Sequence, residues 1–309
     1  TRERRFNGPW RGDELHQIGF PMGGIGAGMI CLSGTGALTH FSLRHKPDIF
    51  NEPYAFAALC VRGTVNTARV LEGPVPRIKA FGYPRAGNGA GHRTYGFPRF
   101  AQAVFRARFP FATVALADPA LPLRVEVTGW SPFVPNDADN SSLPVAALEY
   151  RFLNAGVEAV DAVFSFNTKN LMAVGAEGGS VTARERGFVL RQAPNKERPF
   201  DQGHLCVETD AEGTAVNAAW FRGRWFDAQT IAWREIERGE LIRRPPPPEG
   251  EPSPGASLFV PLRLGPGEET TVRLRLSWYV PESDQRTGDA RGEAACAAGC
   301  GCGKGPAGE

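Results

Sequence analysis

The sequence predicts an all-β protein, a large antiparallel β-sandwich with one short helix at about residues 227–238. Three observations lead to this fold class. The 309 residues include 37 glycines and 26 prolines, well above average usage, so the chain turns often. Apolar and polar residues alternate with a period of two in many short runs. More than ten such runs are separated by turn residues, which is typical of two packed sheets.

Four runs alternate most clearly and define the best predicted strands: 123–127, 148–152, 161–166 and 272–280. In the last run, Trp278 lies on the apolar side and is expected in the core. One face of each strand is therefore predicted to be buried and the other wet. This pattern favours antiparallel sheets over βαβ units.

The remaining strands are predicted from β-prone segments between turn signals: 26–32, 37–43, 55–61, 101–109, 111–117, 179–190, 204–209, 215–221 and 257–264. A single helix interrupts them, with Asp227 as a plausible N-cap and Gly239 as the terminator. The apolar stripe of this helix contains Ala228, Ile231, Ala232 and Ile236.

The predicted sandwich occupies residues 1–280, and residues 281–309 are assigned to a disordered tail. The tail contains no Val, Ile, Leu, Met, Phe, Trp or Tyr, so it has no face to bury. Because it follows the strongest predicted strand directly, we interpret it as a truncated or out-of-frame end.

Charge excludes two classes of partner. The net charge is +2 on 35 basic and 33 acidic residues, so no overall field attracts nucleic acid or an anionic membrane. Residues 15–43 lack Lys, Arg, Asp and Glu, but their seven glycines and Pro21 argue against a transmembrane segment. The compartment is left open, with the cytoplasm slightly favoured.

The most conspicuous motif is FPMGGIGAG, at residues 20–28. Its spacing departs from a dinucleotide fingerprint at Met29, no strand is predicted before it, and β-prone residues follow it. We interpret it as a turn that lets backbones approach closely and whose amides face a neighbouring cleft. Its glycines are the candidate binding residues: Gly23, Gly24, Gly26 and Gly28.

Other residue types indicate no catalytic or metal centre. Cys31, Cys60 and Cys206 lie among apolar neighbours and resemble small buried hydrophobes. The tail cysteines are spaced C-x3-C-x-C, unlike a structural zinc site. The five histidines have no ligand spacing, and His40 and His45 are interpreted as structural.

Residues 136–142 carry enough oxygens for calcium, but they lack the Gly and Glu of an EF-hand loop, and Asx turns explain them equally well. No nucleophile elbow or Cys–His setting is present, and no two acids are marked as a glycosidase pair. The sequence therefore predicts no catalytic residue, no metal and no cofactor.

Several long strings resemble the N-terminal domain of glycoside hydrolase family 116, which includes bacterial β-glucosidases and non-lysosomal glucosylceramidases. They follow the family's order over about residues 6–280: FPMGGIGAG, TYGFPRF, VEVTGWSPFVPNDADNSSLPVAALEYRF and WFDAQTIAWREIERGEL. The resemblance implies a β-sandwich, in agreement with the alternation pattern.

In that family, catalysis belongs to a C-terminal (α/α)6 domain with a glutamate nucleophile and an aspartate acid/base. Neither carboxylate has a matching position in this chain, so none is transferred. The resemblance therefore implies a non-catalytic domain whose partner is a missing (α/α)6 domain. A β-glucoside or glucosylceramide-like substrate would bind through that partner.

The alternative is a free-standing carbohydrate-binding sandwich. Five tryptophans are candidates to stack on sugar rings: Trp130, Trp220, Trp225, Trp233 and Trp278. Saturable glucan binding by this chain alone would favour the module, whereas a downstream helical coding region would favour the enzyme.

Overall fold

The computed structural model describes residues 6–49, 51–77, 79, 94–175, 177–223 and 227–285, and these fold into antiparallel sheets. This confirms the predicted all-β class. Seventeen strands are formed within those ranges: β1 (Trp10–Arg11), β2 (Gly19–Met22), β3 (Met29–Ser33), β4 (Leu38–Ser42), β5 (Ala55–Val61), β6 (Thr67–Val70), β7 (Gln102–Arg108), β8 (Phe111–Ala117), β9 (Leu123–Trp130), β10 (Val145–Asn154), β11 (Val160–Lys169), β12 (Gly179–Arg184), β13 (Gly187–Gln192), β14 (Gly203–Thr209), β15 (Ala215–Asn217), β16 (Gly255–Leu264) and β17 (Glu269–Tyr279).

The strands form three sheets. The largest has nine strands in the order β1-β7-β8-β9-β10-β17-β14-β13-β12. A five-stranded sheet has the order β15-β16-β11-β5-β6, and a three-stranded sheet the order β2-β3-β4. One continuous apolar core contains residues of all three. The two smaller sheets therefore share the inner face of the large one.

The alternation predicted along β9, β10 and β17 of the nine-stranded sheet is confirmed. Along β10, Leu148, Tyr150 and Phe152 are buried, whereas Glu149 and Arg151 lie on the outer face. The outer face is charged, and ion pairs join neighbouring strands, as between Arg273 Nε and Glu149 Oε1 at 3.3 Å. One wet face and one dry face are what a period of two produces.

The five-stranded sheet departs from that pattern because it is buried on both faces. The expected wet side of β11 instead contains buried Val163, Ser165 and Asn167. A second apolar cluster covers this side and includes residues of α2 (Asp227–Glu237), among them Trp233 and Ile236. The prediction of one wet face is therefore wrong here, since the helix replaces solvent.

Helix α2 agrees with its prediction. It ends at Glu237, two residues before Gly239, which has φ +62° and whose N–H donates to the Ile236 carbonyl at 2.9 Å. Asp227 lies within the described helix rather than outside it as a cap, and Ile231 is only half-buried. Shorter helical segments of the described ranges include α1 (Ala138–Ser141) and the 3-10 turns Gly12–Gln17 and Pro199–Asp201.

The three-stranded sheet packs tightly on β9. A Cβ atom placed on Gly129 would lie 2.5 Å from Met22 Sδ and 3.0 Å from Leu32 Cδ2. Only glycine therefore permits this approach. Strand β2 was not predicted, and neither were β1 and β6.

Three predicted strands have clearly different bounds. The run 26–32 begins too early, because β3 starts at Met29. The run 179–190 is a hairpin that turns between β12 and β13. The run 215–221 leaves the sheet after Asn217, where Ala218 N–H donates to the Arg244 carbonyl at 2.9 Å instead. At the other end, residues 286–309 of the assigned tail lie outside the described ranges.

Candidate functional site

The glycine-rich turn connects β2 to β3 at one end of the sandwich. Gly23, Gly26 and Gly28 have φ values of +144°, +74° and +96°, which favour glycine over residues with a side chain. The expectation that no strand precedes the turn is wrong, because β2 does. A strand also follows, so the strand–turn–helix context of dinucleotide binding is missing.

The turn is fastened to the segment that enters β10. Gly24 N–H donates to the Leu143 carbonyl at 3.1 Å, and Ile25 N–H donates to the Ser141 carbonyl at 2.8 Å. A Cβ atom on Gly24 would overlap the backbone of residues 142–143. The amides of Gly24 and Ile25 are therefore occupied within the domain rather than presented to a ligand.

Two side chains fix the rest of the turn. Trp278 Nε1 donates to the Ala27 carbonyl at 2.7 Å. Ser131 Oγ accepts from Gly23 N–H at 3.2 Å and donates to the Pro21 carbonyl at 3.1 Å. Sequence reasoning did not select Ser131 or Leu143 for any role, although both lie in the string GWSPF…NSSLPVA that carries the family resemblance.

Large apolar side chains are exposed around this turn. They lie between 40% and 64% exposed, and we call them the turn face: Ile25, Phe109, Phe111, Phe133, Val134 and Leu143. Their segments are linked to one another. The rings of Phe109 and Phe133 are 5.0 Å apart, Ser131 N–H donates to the Pro110 carbonyl, and Val134 N–H donates to Ser141 Oγ at 2.9 Å.

The oxygen-rich loop beside the turn face is a capped helical turn. Asp137 accepts from the backbone N–H of Asn140 at 3.0 Å and also from its side chain. These hydrogen bonds lower the pKa of Asp137. Across the described ranges, no three His, Cys, Asp or Glu side chains are grouped to hold a metal ion.

The tryptophans of the carbohydrate-binding alternative are mostly buried. Trp220, Trp233 and Trp278 are core residues, and Trp130 is half-buried. Trp225 lies outside the described ranges. The indole of Trp220 donates to Ser257 Oγ at 2.9 Å. Stacking of the three buried rings on a sugar is therefore ruled out by their burial.

The isolated histidines and cysteines have structural surroundings. His45 Nε2 donates to the Val280 carbonyl at 2.8 Å, and desolvation lowers the pKa of His40. Burial raises the pKa of Cys31 and of Cys60 to about 11. Cys206 is half-buried rather than buried.

Among the helices that the structure describes, none has the length and apolar character of a membrane span.

Comparison with known proteins assigns the family. A search of curated proteins found no significant match. Two solved structures share 11% and 8% identity with the chain: a polysaccharide lyase, with TM-score 0.32, and a protein described as a kojibiose phosphorylase from human microbiome, with TM-score 0.38. They are matched over 90% and 86% of this chain, which spans about a third of their lengths, 33% and 31%.

The sequence model described as "beta-glucosidase 2, glycosyl-hydrolase family 116 N-term" matches residues 19–294. The match includes the glycine-rich turn, the turn face and all strands of the two larger sheets except β1. It extends over most of the 309 residues, as the strings quoted above led us to expect. The chain therefore belongs to glycoside hydrolase family 116, as its N-terminal domain.

Proposed function

We propose that this chain is the non-catalytic β-sandwich of a β-glucosidase- or glucosylceramidase-like retaining hydrolase. In this proposal, residues 1–280 support a C-terminal (α/α)6 catalytic domain, and the turn face docks on that domain. The observation that carries the proposal is the group of six exposed apolar side chains around the glycine-rich turn. Apolar patches of this kind mark interaction surfaces.

The fastening of the turn supports the docking role. The N–H groups of Gly24 and Ile25 donate hydrogen bonds to the Leu143 and Ser141 carbonyls. The Ala27 carbonyl accepts a hydrogen bond from the Trp278 indole. A surface held in this way loses little conformational freedom when a partner binds. Gly23, Gly24, Gly26 and Gly28 thus serve to shape the surface in the proposed cleft, rather than to bind substrate.

A charge introduced on the turn face tests the docking. Ile25→Asp and Leu143→Asp are made in the protein extended through its catalytic domain, and hydrolysis of an aryl β-glucoside is measured. We expect each variant to lower turnover and the melting temperature of the extended protein. In the isolated chain, both side chains are already exposed, so its melting temperature is expected to stay within about 2 °C of wild type.

Val157→Asp is the matched control. Val157 is 90% exposed and follows the far end of β10, away from the turn face. This variant is expected to behave as wild type in the extended protein. Equal turnover in all three variants would contradict docking through the turn face.

The isolated chain is expected not to hydrolyse β-glucosides. Retaining hydrolysis needs a nucleophile and an acid/base about 5 Å apart, and the family resemblance assigns both to the other domain. Turnover by the purified chain that disappears on mutation of an acid within residues 1–280 would overturn the proposal. Concentration-dependent self-association, measured by sedimentation velocity, is expected because the turn face is uncovered.

A further inference from the structure

A cleft of about 330 Å³ lies at the end of the nine-stranded sheet that is remote from the glycine-rich turn. It is formed by the first residue of β7, the β8–β9 hairpin, the start of β9 and the residues that follow β10. Its volume falls within the range of small-molecule sites, about 300–1,000 Å³. The cleft is therefore large enough for a small organic molecule.

The floor of the cleft is a gap between two long side chains on the outer face of the sheet. Gln102 of β7 pairs with Ala117 of β8. On the other side of Ala117 lies Arg124 of β9, since the preceding residue of β8 pairs with Val125. Because adjacent strands are about 4.8 Å apart, the side chains of Gln102 and Arg124 start about 10 Å apart, with only a methyl group between them. Both side chains are exposed and line the cleft, so both can reach one ligand group above Ala117.

The carboxylate in the wall of the cleft is neutralised. Asp118 is the one acidic residue among the described lining residues, and its side chain is 8% exposed. One of its oxygens, Oδ2, lies 2.9 Å from Arg69 Nε. The other, Oδ1, accepts from the Ala120 N–H at 2.8 Å. Asp118 therefore contributes no free negative charge to the cleft.

The cation in the wall, in contrast, is unpaired. The Arg124 guanidinium makes no hydrogen bond and no ion pair with another residue of the described ranges, and the same holds for the Gln102 amide. Glu126, the next outer-face residue of β9, is bound instead to Arg151, whose Nη2 lies 3.0 Å from Glu126 Oε1. The cleft therefore carries one net positive charge, which favours a ligand with a negative charge.

The remaining walls are apolar and are held in place by backbone hydrogen bonds. Leu121 N–H donates to the Asp118 carbonyl at 3.1 Å, within the β8–β9 hairpin. Ala155 N–H donates to the Pro122 carbonyl at 3.0 Å and joins this hairpin to the end of β10. The apolar lining residues are Pro119, Leu121, Pro122, Leu123 and Ala155. Walls that are already formed lower the conformational cost of binding, and their apolar surface suits a ligand with an apolar body next to its charge.

We propose that this cleft binds a small organic carboxylate, which carries one negative charge on an apolar body. The two oxygens of a carboxylate match the parallel N–H groups of a guanidinium, so Arg124 binds it with paired hydrogen bonds. The Gln102 amide donates to the same group from the other side of Ala117. A phosphate dianion would exceed the single charge of Arg124 and would leave the apolar walls uncovered. This site is separate from the turn face and does not depend on the docking proposal.

Calorimetric titration of the whole 309-residue chain tests the site, with benzoate as the probe and benzyl alcohol as a neutral molecule with the same ring. Saturable binding of benzoate is expected, about tenfold tighter than that of benzyl alcohol. Arg124→Gln removes the charge and is expected to weaken benzoate binding about tenfold. Because Arg124 is exposed and unpaired, the melting temperature of this variant should stay within about 2 °C of wild type.

A second variant keeps the charge and fills the gap. Ala117→Leu places a larger side chain on the floor between Gln102 and Arg124. Ala117 is exposed on its strand, so the substitution should change stability little. Loss of benzoate binding is expected, because the space above the floor is taken.

Arg263→Gln is the matched control, since Arg263 is also exposed but lies on β16, outside the cleft. It is expected to bind benzoate as wild type does. Inorganic phosphate serves as a second anion and is expected to bind more weakly than benzoate. Four results would each overturn the proposal: no saturable binding of benzoate, equal affinity for benzoate and benzyl alcohol, unchanged affinity in Arg124→Gln or Ala117→Leu, or tighter binding of phosphate than of benzoate.

Discussion

The indole Nε1 of Trp278 donates a hydrogen bond of 2.7 Å to the carbonyl oxygen of Ala27, which is 251 positions earlier in the chain. This hydrogen bond links β17, the last strand along the chain, to the glycine-rich turn. A Cβ atom on Gly23 would lie 3.2 Å from the same indole ring. The shape of the turn therefore depends on a side chain from the far end of the described chain.

Trp278→Phe should lower the free energy of unfolding by about 2 kcal/mol. About half of this comes from the lost hydrogen bond and half from the smaller ring. Denaturant unfolding followed by circular dichroism measures the change. Tyr279→Phe, on the exposed side of the same strand, is the control and should be neutral. A neutral Trp278→Phe would show that the turn is held without the indole.

Gly24→Ala and Gly26→Ala should differ clearly in stability. The added Cβ on Gly24 meets the backbone of residues 142–143, whereas nothing lies within 4 Å of a Cβ on Gly26. At Gly26, only the φ of +74° disfavours a residue with a side chain. We expect a loss of about 3 kcal/mol for Gly24→Ala from overpacking and about 1 kcal/mol for Gly26→Ala from backbone strain. Equal losses would contradict the close approach.

Stability should fall at acidic pH through Asp201. The hydrogen bond from Arg198 lowers the pKa of this carboxyl in the folded protein, and Arg44 adds to the effect. The Arg198 Nε–Asp201 Oδ2 distance is 2.7 Å. The stabilisation is present above the unfolded value of about 3.9 and is lost as the pH falls through the lower folded value.

The test for this pH dependence is Asp201→Asn, with melting temperatures recorded between pH 7 and pH 2.5. The variant should be less stable than wild type at pH 7, by about 1 kcal/mol, and the difference should shrink below about pH 4. Asp13→Asn is the control, since that side chain is 92% exposed. A difference that stays constant over the whole range would refute the assignment.

Removal of the segment after Val280 should leave the sandwich intact. Residues 281–309 contain no large hydrophobe, and the ion pair of Asp284 with Lys46, at 3.7 Å, is an exposed contact of small value. Limited proteolysis is expected to trim the segment without changing the melting temperature. A drop of several degrees would show that it contributes to the fold.

The sequence predicted the elements whose burial can be read from the local alternation of apolar and polar residues. Strands β10 and β17 face solvent on one side, so their alternation was visible. The pattern on β11 was misread because a second apolar cluster, which includes residues of α2 from more than 60 positions later, packs on the side of Val163. Val163 on the same side gave a hint of this, since an apolar residue is unnecessary on a wet face.

The candidate site was predictable only in part for a similar reason. The four glycines marked a turn, but its partners Ser131, Leu143 and Trp278 come from distant segments. Packing between distant segments, rather than a local motif, therefore creates this surface.

The position of β17 has a consequence for synthesis of the protein. This strand lies between β10 and β14, so the ribosome has made nearly the whole domain before the strand is available. Without it, the two groups of strands that it joins, β1-β7-β8-β9-β10 and β14-β13-β12, would each have one unpaired edge. Such edges pair readily with other chains, and contacts this distant in sequence form slowly. We therefore expect a chain that stops before residues 269–279 to aggregate more readily than the complete domain.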